Sequence, residues 1–451
     1  MSERKASVWA AVVRLLIIGY STLGRTFAYV GVAPAYLFIG EMSLFGFLST
    51  NFRGVDYFFI HSKSNNYTQL LRLTLTGFLL YGLVCVGIGY YHSYKIVTIL
   101  QNFVFNCYAL YLVIGVAVGA MVAGGYLPAV LKKLAWIHGI YGVAYVTVLI
   151  HLSFLTIPGT PGVSYFGQPV GSGLAIMTML AYEKKFERQI IPILLNVITL
   201  FGVQVRAEWL GCIVAFTVWS FLAGKMQQFF IIFGTMIFML AAGMFFDIRI
   251  QGGRGGEISA QAIVGRAISS IDEDLAVKFW PEAKATSGTA KWRETWWRNI
   301  WQDINYSNDT LKFFFGEGYG FTITDLGPES GTFDARTPHN IFYAVLCYGG
   351  WFGALFFISF HIALVLAMWR MYKLTKDPFG IAFYLFSMCT ALLGNCLETP
   401  FGAIPFYLII GIVISPLFAR YQNMMLVPLQ QFDPMATPYA PTYSQYGPQG
   451  V

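Results

Sequence analysis

The sequence predicts an all-α polytopic membrane protein, with about twelve membrane-spanning helices and a large helical loop on the outer side between the ninth and tenth of them. Hydrophobic residues make up 56% of the 451 residues and charged residues only 11%, whereas soluble domains carry roughly 25% charged residues. The mean hydropathy is +0.59. No water-soluble fold can bury this much apolar surface, so the composition excludes the soluble classes of enzyme and binding domain.

Apolar runs long enough to cross a bilayer recur along the chain. About 20 helical residues span the hydrocarbon core, and charged or Gly- and Pro-rich breaks divide the sequence into runs of this size. The two runs between 170 and 204 are the shortest. The predicted spans cover residues 8–23, 27–49, 70–90, 100–128, 134–156, 170–182, 189–204, 208–223, 227–247, 340–369, 379–397 and 403–420.

The positions of lysine and arginine support this count. Basic residues in short loops collect on the cytoplasmic side of a membrane. With the N-terminus inside, every dense basic cluster falls on the inner side, whereas an error of one helix would invert all later loops. We therefore predict that both termini are cytoplasmic. The inner clusters are Arg53, Lys63 and Arg72; Lys132 and Lys133; Lys184, Lys185 and Arg188; Lys225; Arg370, Lys373 and Lys376; and Arg420.

Two polar segments stand apart from the predicted membrane domain, which covers 1–425. Residues 248–338 hold more than half of the acidic residues, mixed with Lys and Arg, so we predict a folded extracytoplasmic loop inserted within that domain. Residues 426–451 are rich in Pro, Tyr and Gln and lack apolar periodicity. Because such a segment cannot bury enough surface to offset its ordering entropy, we expect a disordered cytoplasmic tail.

Residues 291–304, KWRETWWRNIWQDI, predict a helix within the outer loop. They contain no Pro or Gly, and a spacing of four places Arg293, Trp297 and Trp301 on one face. Tryptophan favours the lipid headgroup level, which predicts an interfacial anchor with Arg293 and Arg298 facing water. The alternative is that Arg293 faces a headgroup phosphate.

Two more charged residues fall on the predicted outer face. Arg206 follows one apolar run and precedes another, with Glu208 close by in the sequence. An arginine at this depth is costly unless it is paired or reaches water, so Arg206 is a functional candidate, although a purely structural pair with Glu208 would also explain it. Glu398 lies between the last two predicted helices. It is either a carboxylate of the functional site or a loop residue exposed to water.

The end of the outer loop supplies a turn and a histidine. Residues 316–320, GEGYG, lack the GK[ST] ending of a nucleotide-binding loop, and they predict a tight turn whose glycines adopt positive φ. His339 and Asn340 directly precede the tenth predicted helix, with Pro338 expected in its first turn. His339 is therefore expected at a helix N-terminus, which favours anions, or as a hydrogen-bonded structural residue.

Together these motifs resemble the O-antigen ligase and polymerase family, membrane glycosyltransferases that use polyprenyl-diphosphate-linked glycans. The resemblance rests on QVRAEWL at 204–210, RETWW at 293–297, FGEGYG at 315–320 and PHNIFYAVLCYGGWFG at 338–353, with residues 24–48 similar to the family's second helix. One departure is that the family's small-residue-Arg-Gly motif reads VRAE here, with Glu208 beside Arg206.

The resemblance implies that Arg206 and Arg293 contact the diphosphate and that His339 lies at the reacting centre, where it takes or orients the proton of the acceptor hydroxyl. Guanidinium groups bind phosphate oxygens in bidentate fashion and remain charged. Fixed cations at the leaving oxygen stabilise the charge that develops as the glycosyl bond breaks. Candidate substrate-binding residues are Arg298, Arg336, Asn340, Arg266, Trp297 and Glu398.

The resemblance further implies a metal-independent inverting glycosyltransferase without cofactors, on the periplasmic face of the bacterial inner membrane. The sequence lacks clustered DxD carboxylates that would hold Mg²⁺ at a diphosphate, and its one tight acidic run, at 272–274, is typical of a helix cap. The implied partners are a polyprenyl-diphosphate-linked oligosaccharide donor, a glycan or lipid-linked glycan acceptor, membrane lipid and other polysaccharide-assembly proteins, with no nucleic acid.

Several functions remain open at this point. The donor chemistry is shared between polymerisation of repeat units and ligation of a finished glycan to a lipid A core, and polymerisation is favoured slightly. A transporter or flippase for lipid-linked glycans would carry charged residues along its membrane helices, but the predicted spans contain few. A non-catalytic scaffold of an export complex is the third class, and it would tolerate substitution of Arg293 or His339.

Overall fold

The computed structural model describes residues 3–32, 37–62, 65–122, 124–158, 163–247, 249–251, 257–269, 272–328 and 337–418. The described chain is mostly helical, with two short β-hairpins, which confirms the all-α polytopic prediction. Arg336, Lys63, Arg420 and the predicted tail 426–451 lie outside these ranges. The helices outside the loop are α1 (Glu3–Ala28), α2 (Ile39–Thr50), α3 (Phe52–Asp56), α4 (Asn66–Tyr91), α5 (Ile96–Cys107), α6 (Tyr111–Gly119), α7 (Tyr126–Thr147), α8 (Ser172–Tyr182), α9 (Phe186–Val203), α10 (Arg206–Leu222), α11 (Met226–Phe245), α16 (Ile341–Thr375), α17 (Phe379–Leu392) and α18 (Pro400–Ile414).

Seven helices of the described chain are long and apolar enough to cross a membrane. The other predicted spans correspond to helices that are shorter or less apolar, such as Ser172–Tyr182 and Phe379–Leu392. The span predicted at 27–49 is not one helix. α1 ends at Ala28, a hairpin of β1 (Gly31–Val32) and β2 (Leu37–Phe38) follows, and α2 starts only at Ile39.

The centre of the fold is α18, which packs on α6 and α1. Its close approach to α6 depends on glycine. A Cβ on Gly115 would lie 2.4 Å from the carbonyl oxygen of Leu408, and a Cβ on Gly411 would lie 2.5 Å from that of Leu112. Small residues that let backbones approach closely are typical of helix packing in membranes. At the periphery, α11 has none of its most apolar window buried inside the protein.

The outer loop folds into several short elements that cover the end of α16. They are β3 (Arg249–Gln251), β4 (Glu257–Ser259), α12 (Ala260–Ile268), α13 (Glu273–Phe279), α14 (Ala283–Asn305) and α15 (Thr310–Phe315). Asp272 caps α13 by accepting the N–H of Leu275 at 2.9 Å, so the acidic run is a helix cap as predicted. A small apolar cluster joins α12, α13 and α14 through Ala262, Ala276, Trp280 and Ala283.

A break in α16 holds the glycine-rich turn. Gly350 has φ 56°, which interrupts the helix. Carbonyl groups just before it are therefore available to accept hydrogen bonds from outside α16. Cys347 O accepts the N–H of Glu317 at 2.9 Å, and Tyr348 O accepts that of Gly318 at 3.0 Å. Three glycines of the turn have positive φ: Gly316, Gly318 and Gly320. The tight turn predicted there is confirmed, and its N–H groups satisfy the carbonyls that the broken helix leaves exposed.

Candidate functional site

The tryptophans of α14 pack on protein. Trp296 is buried and donates its indole N–H to Ile323 O at 3.0 Å. Trp297 stacks on Tyr343, with 5.6 Å between ring centroids, and donates its indole N–H to Pro338 O at 2.8 Å. The interpretation of this face as a lipid anchor is therefore wrong for these two rings, which instead fix α14 against the start of α16.

Arg293 lies one helical turn before Trp297 and reaches the segment 393–399 between α17 and α18. Its Nη1–H group donates to Leu393 O at 2.9 Å. The spacing of four therefore places Arg293 and Trp297 on a shared face, as predicted, and both bond to backbone carbonyls from distant parts of the chain. A guanidinium carries its N–H donors in a fixed fork, so this contact sets the orientation of the whole group.

Glu398 is the buried carboxyl group of the site. It faces the Thr337 hydroxyl, the backbone N–H of Asn340 and the guanidinium of Arg293. Burial raises the pKa of Glu398 to about 8, against the lowering effect of these three groups. Both oxygens are inaccessible to solvent, and neither makes a hydrogen bond of regular geometry with any residue that the structure describes. The interpretation of Glu398 as a water-exposed loop residue is wrong, because these neighbours enclose it.

His339 and Asn340 form the turn into α16. The helix begins at Ile341, so Pro338 precedes it and is not in its first turn, contrary to expectation. Asn340 is the N-cap: its Oδ1 accepts the N–H of Phe342 at 3.0 Å and that of Tyr343 at 3.4 Å. His339 is half-buried with φ 53°, a conformation that costs energy for a residue with a side chain. The cap therefore occupies the Asn340 side-chain oxygen, while the strained turn sets the direction of His339.

Arg206 starts α10 and is held by the outer loop. Its Nη1–H group donates to Ser269 Oγ at 3.0 Å, and Ser269 Oγ donates to Arg266 O, also at 3.0 Å. Arg266 is 7% exposed, and its guanidinium lies over the Trp280 ring, 5.2 Å from the centroid. The end of α12 therefore gathers two of the predicted arginines.

The segment 393–399 links Arg206 to Arg293. A Cβ on Gly394 would lie 3.9 Å from the Cβ of Ala207, the residue after Arg206, and Leu393 accepts the bond from Arg293. Burial and, to a smaller extent, the Glu208 and Glu398 carboxyl groups raise the pKa of the Cys396 thiol to about 11, against the lowering effect of its hydrogen bond with Thr390. Segment 393–399 therefore touches α10 and α14 and carries Glu398.

Two predicted arginines are not part of this arrangement as described. Arg298 is exposed and forms an ion pair with Glu294 at 2.8 Å on another face of α14. Arg336 lies outside the described residues. Within the described ranges, no group of three or more His, Cys, Asp or Glu side chains is placed to hold a metal ion.

A cavity of about 400 Å³ borders the carboxyl site. Thr337, Pro338 and Glu398 line it on the outer side, and it runs along α4 from Cys85 to Phe78. Sequence reasoning did not single out its amide residues, Gln101, Asn102 and Asn106. The available signal was polar side chains within a predicted membrane span, which are functional candidates by default.

Comparison with known families bears on the part of the chain that carries the arginines and the histidine. Residues 191–358 match the O-Antigen ligase family model. The match confirms the resemblance to the O-antigen ligase and polymerase family over α9 to the middle of α16, including Arg206, Arg293 and His339. It supports glycan handling of the O-antigen ligase or polymerase type by a multi-pass membrane protein. No curated protein sequence matches the chain.

Proposed function

We propose that the protein is a membrane glycosyltransferase that uses polyprenyl-diphosphate-linked glycan donors on the periplasmic face and polymerises the repeat units of a surface polysaccharide. The observation that carries the proposal is the meeting of the Arg293 guanidinium with the buried Glu398 carboxyl group beside the strained turn at His339. A fixed cation and an ionisable acid on adjoining backbone segments suit a reaction that expels an anion and releases a proton.

The arginines are assigned to the diphosphate. As the acceptor oxygen bonds to the anomeric carbon, the bond from that carbon to the diphosphate oxygen breaks and its electron pair remains on the diphosphate. Arg293, oriented by Leu393 O, and Arg206, held by Ser269, would stabilise that charge. Because both guanidinium groups are already fixed in place, they need little reorganisation at the transition state.

The proton of the acceptor hydroxyl is assigned to His339 or Glu398. A general base is most effective when its pKa lies near the working pH. The pKa of Glu398, about 8, leaves part of the group ionised near neutral pH, and that fraction can accept the proton. His339, next to the Asn340 N–H that faces Glu398, is placed to orient the hydroxyl.

Ligation to a lipid A core is the second candidate, because the matched family is described as O-antigen ligase. Its donor chemistry is the same, and only the acceptor differs. We include in the proposal the membrane orientation and the domain bounds. The site lies on the periplasmic side, both termini are cytoplasmic, the outer loop is 248–338 within a membrane domain of 1–425, and the tail is 426–451. They are supported by the distribution of basic residues among the loops.

The test uses purified protein in lipid nanodiscs with a synthetic polyprenyl-diphosphate repeat unit as donor. Release of polyprenyl diphosphate together with a ladder of longer glycans is expected for a polymerase, and product only after addition of a lipid A core acceptor for a ligase. Arg293→Ala and His339→Ala should reduce product to a small residue of the wild-type amount. Arg298→Ala is the matched control, because Arg298 belongs to the same helix but is exposed. Normal activity of the first two variants would contradict the proposal.

A further inference from the structure

The cavity beside Glu398 is large enough for a small ligand. Its volume of about 400 Å³ falls within the range of roughly 300–1,000 Å³ found for small-molecule sites. It lies between α4, α5 and α16, and the glycine-rich turn closes one side through Tyr319. Tyr319 is held there by its N–H, which donates to Cys85 O at 3.0 Å.

The wall of the cavity suits a neutral, hydroxyl-rich ligand. Among the lining residues that the structure describes there is no Lys, Arg or His, and Glu398 is the one carboxylic acid. An anionic diphosphate would therefore find no cation inside. The lining combines aromatic rings with side-chain amides, such as that of Asn102, and threonine hydroxyls, such as that of Thr324. Such polar groups disfavour a prenyl chain, because burying them against hydrocarbon leaves them without partners.

Asn102 supplies a specific contact. Its side chain bonds to the hydroxyl of Tyr348, while its Oδ1 is buried and accepts no hydrogen bond from any described residue. Buried acceptors in folded proteins are almost always paired. A ligand hydroxyl that donates to Asn102 would satisfy this atom, and the Glu398 carboxyl group lies on the same wall.

We propose that this cavity binds the terminal sugar ring of the acceptor glycan, with one hydroxyl on Asn102 and the reacting hydroxyl directed to Glu398. The inference rests on the proposed glycosyl transfer and assigns its two substrates to different places. The donor diphosphate lies with Arg293 and Arg206 around segment 393–399, and the acceptor ring lies on the α4 and α5 side. Glu398 borders both, so it can take the acceptor proton as the donor bond breaks.

The experiment compares Asn102→Leu, which keeps the approximate size and removes the amide, with wild type. At saturating donor, Asn102→Leu should raise the KM for acceptor by about tenfold, the effect of one lost hydrogen bond, and leave the KM for donor unchanged. Gln228→Leu is the matched control, since Gln228 is an exposed amide residue of α11. Asn102→Gln, which restores an amide, should recover part of the affinity. An unchanged acceptor KM in an active Asn102→Leu enzyme would overturn the inference.

Direct binding separates this inference from the proposed function. Soluble repeat-unit oligosaccharide and soluble core oligosaccharide are titrated into nanodisc-embedded protein by calorimetry. If either oligosaccharide binds and Asn102→Leu weakens that binding, the result supports the sugar site even when no transfer is measured. The oligosaccharide that binds identifies the source of the acceptor. Wild-type protein that transfers glycan but binds neither fragment would refute the sugar site and leave the transferase proposal standing.

Discussion

Substitution of Glu398 by Gln tests the chemistry of the site most directly. The amide has nearly the shape of the protonated carboxyl group but cannot ionise. With the pKa of Glu398 raised to about 8 by burial, about one tenth of the groups are ionised at pH 7 and about one hundredth at pH 6. If the carboxylate is the base, kcat/KM rises about tenfold per pH unit below 8 and levels off above it.

The expected loss in Glu398→Gln is about 10²- to 10⁴-fold in kcat, the usual contribution of general base catalysis. The assay is release of polyprenyl diphosphate from nanodisc-embedded enzyme between pH 5.5 and 9. Residual activity of the variant should lack the rise with pH. A wild-type rate that does not change from pH 6 to 8, or a variant with wild-type activity, would refute the assignment.

The same substitution has a consequence for stability. A carboxyl group whose pKa is higher in the folded than in the unfolded protein stabilises the fold fully below the unfolded pKa of about 4.3, and that contribution is lost as pH rises through about 8. The melting temperature of wild type should therefore fall relative to that of Glu398→Gln between pH 5 and pH 8. A constant difference between the two proteins would show that Glu398 is not buried as a neutral group.

Three further predictions concern the surroundings of the site. Arg293→Lys should lower kcat/KM by at least about tenfold because the ammonium group cannot replace the guanidinium fork. Arg293→Ala should also move the rise of kcat/KM with pH to higher pH, since the Arg293 cation lowers the pKa of Glu398. An unmoved rise in the residual activity of Arg293→Ala would contradict this. Ser269→Ala removes the acceptor that holds Arg206 and should raise the KM for donor several-fold without changing that for acceptor, as measured by initial rates. Gly350→Ala should lower the melting temperature by several degrees, at a cost of about 1–3 kcal/mol, because its φ is 56° and a Cβ would lie 2.6 Å from Gly316 N. Gly234→Ala is the control: it lies inside α11 with open space around it, and it should melt no lower than wild type.

Local sequence pattern predicted the parts of the site that depend on one helix. The spacing of four in α14 places Arg293 and Trp297 on one face, and the Gly spacing at 316–320 predicts its turn. Periodicity does not tell whether a face meets lipid or protein. For that reason the Trp-rich helix predicts a headgroup anchor, although its Trp296 is buried and bonds to Ile323.

The remaining features depend on contacts between distant segments. Glu398 is a lone acid in the sequence, and its pKa is raised because the fold buries it, more than Thr337, Asn340 and Arg293 lower it. No local pattern specifies that burial. The hairpin that interrupts the predicted span 27–49 was missed because its residues are as apolar as those of a helix. The cavity was missed because it forms only where three helices and the outer loop meet.

The broken helix α16 has a consequence for how the enzyme tolerates change in its outer loop. The carbonyl groups of Cys347, Tyr348 and Cys85 each accept a backbone N–H of the turn. These three bonds do not depend on side chains of the turn, although the Tyr319 hydroxyl also donates to Asn106 and Glu317 pairs with Lys312. A side-chain change in the turn therefore leaves its backbone bonds in place, provided that its glycines stay. The bond from its N–H to Cys85 O keeps Tyr319 on the wall of the proposed acceptor site while the rest of the loop changes. Under the proposed function, new acceptor preferences can then be acquired without rebuilding the membrane domain.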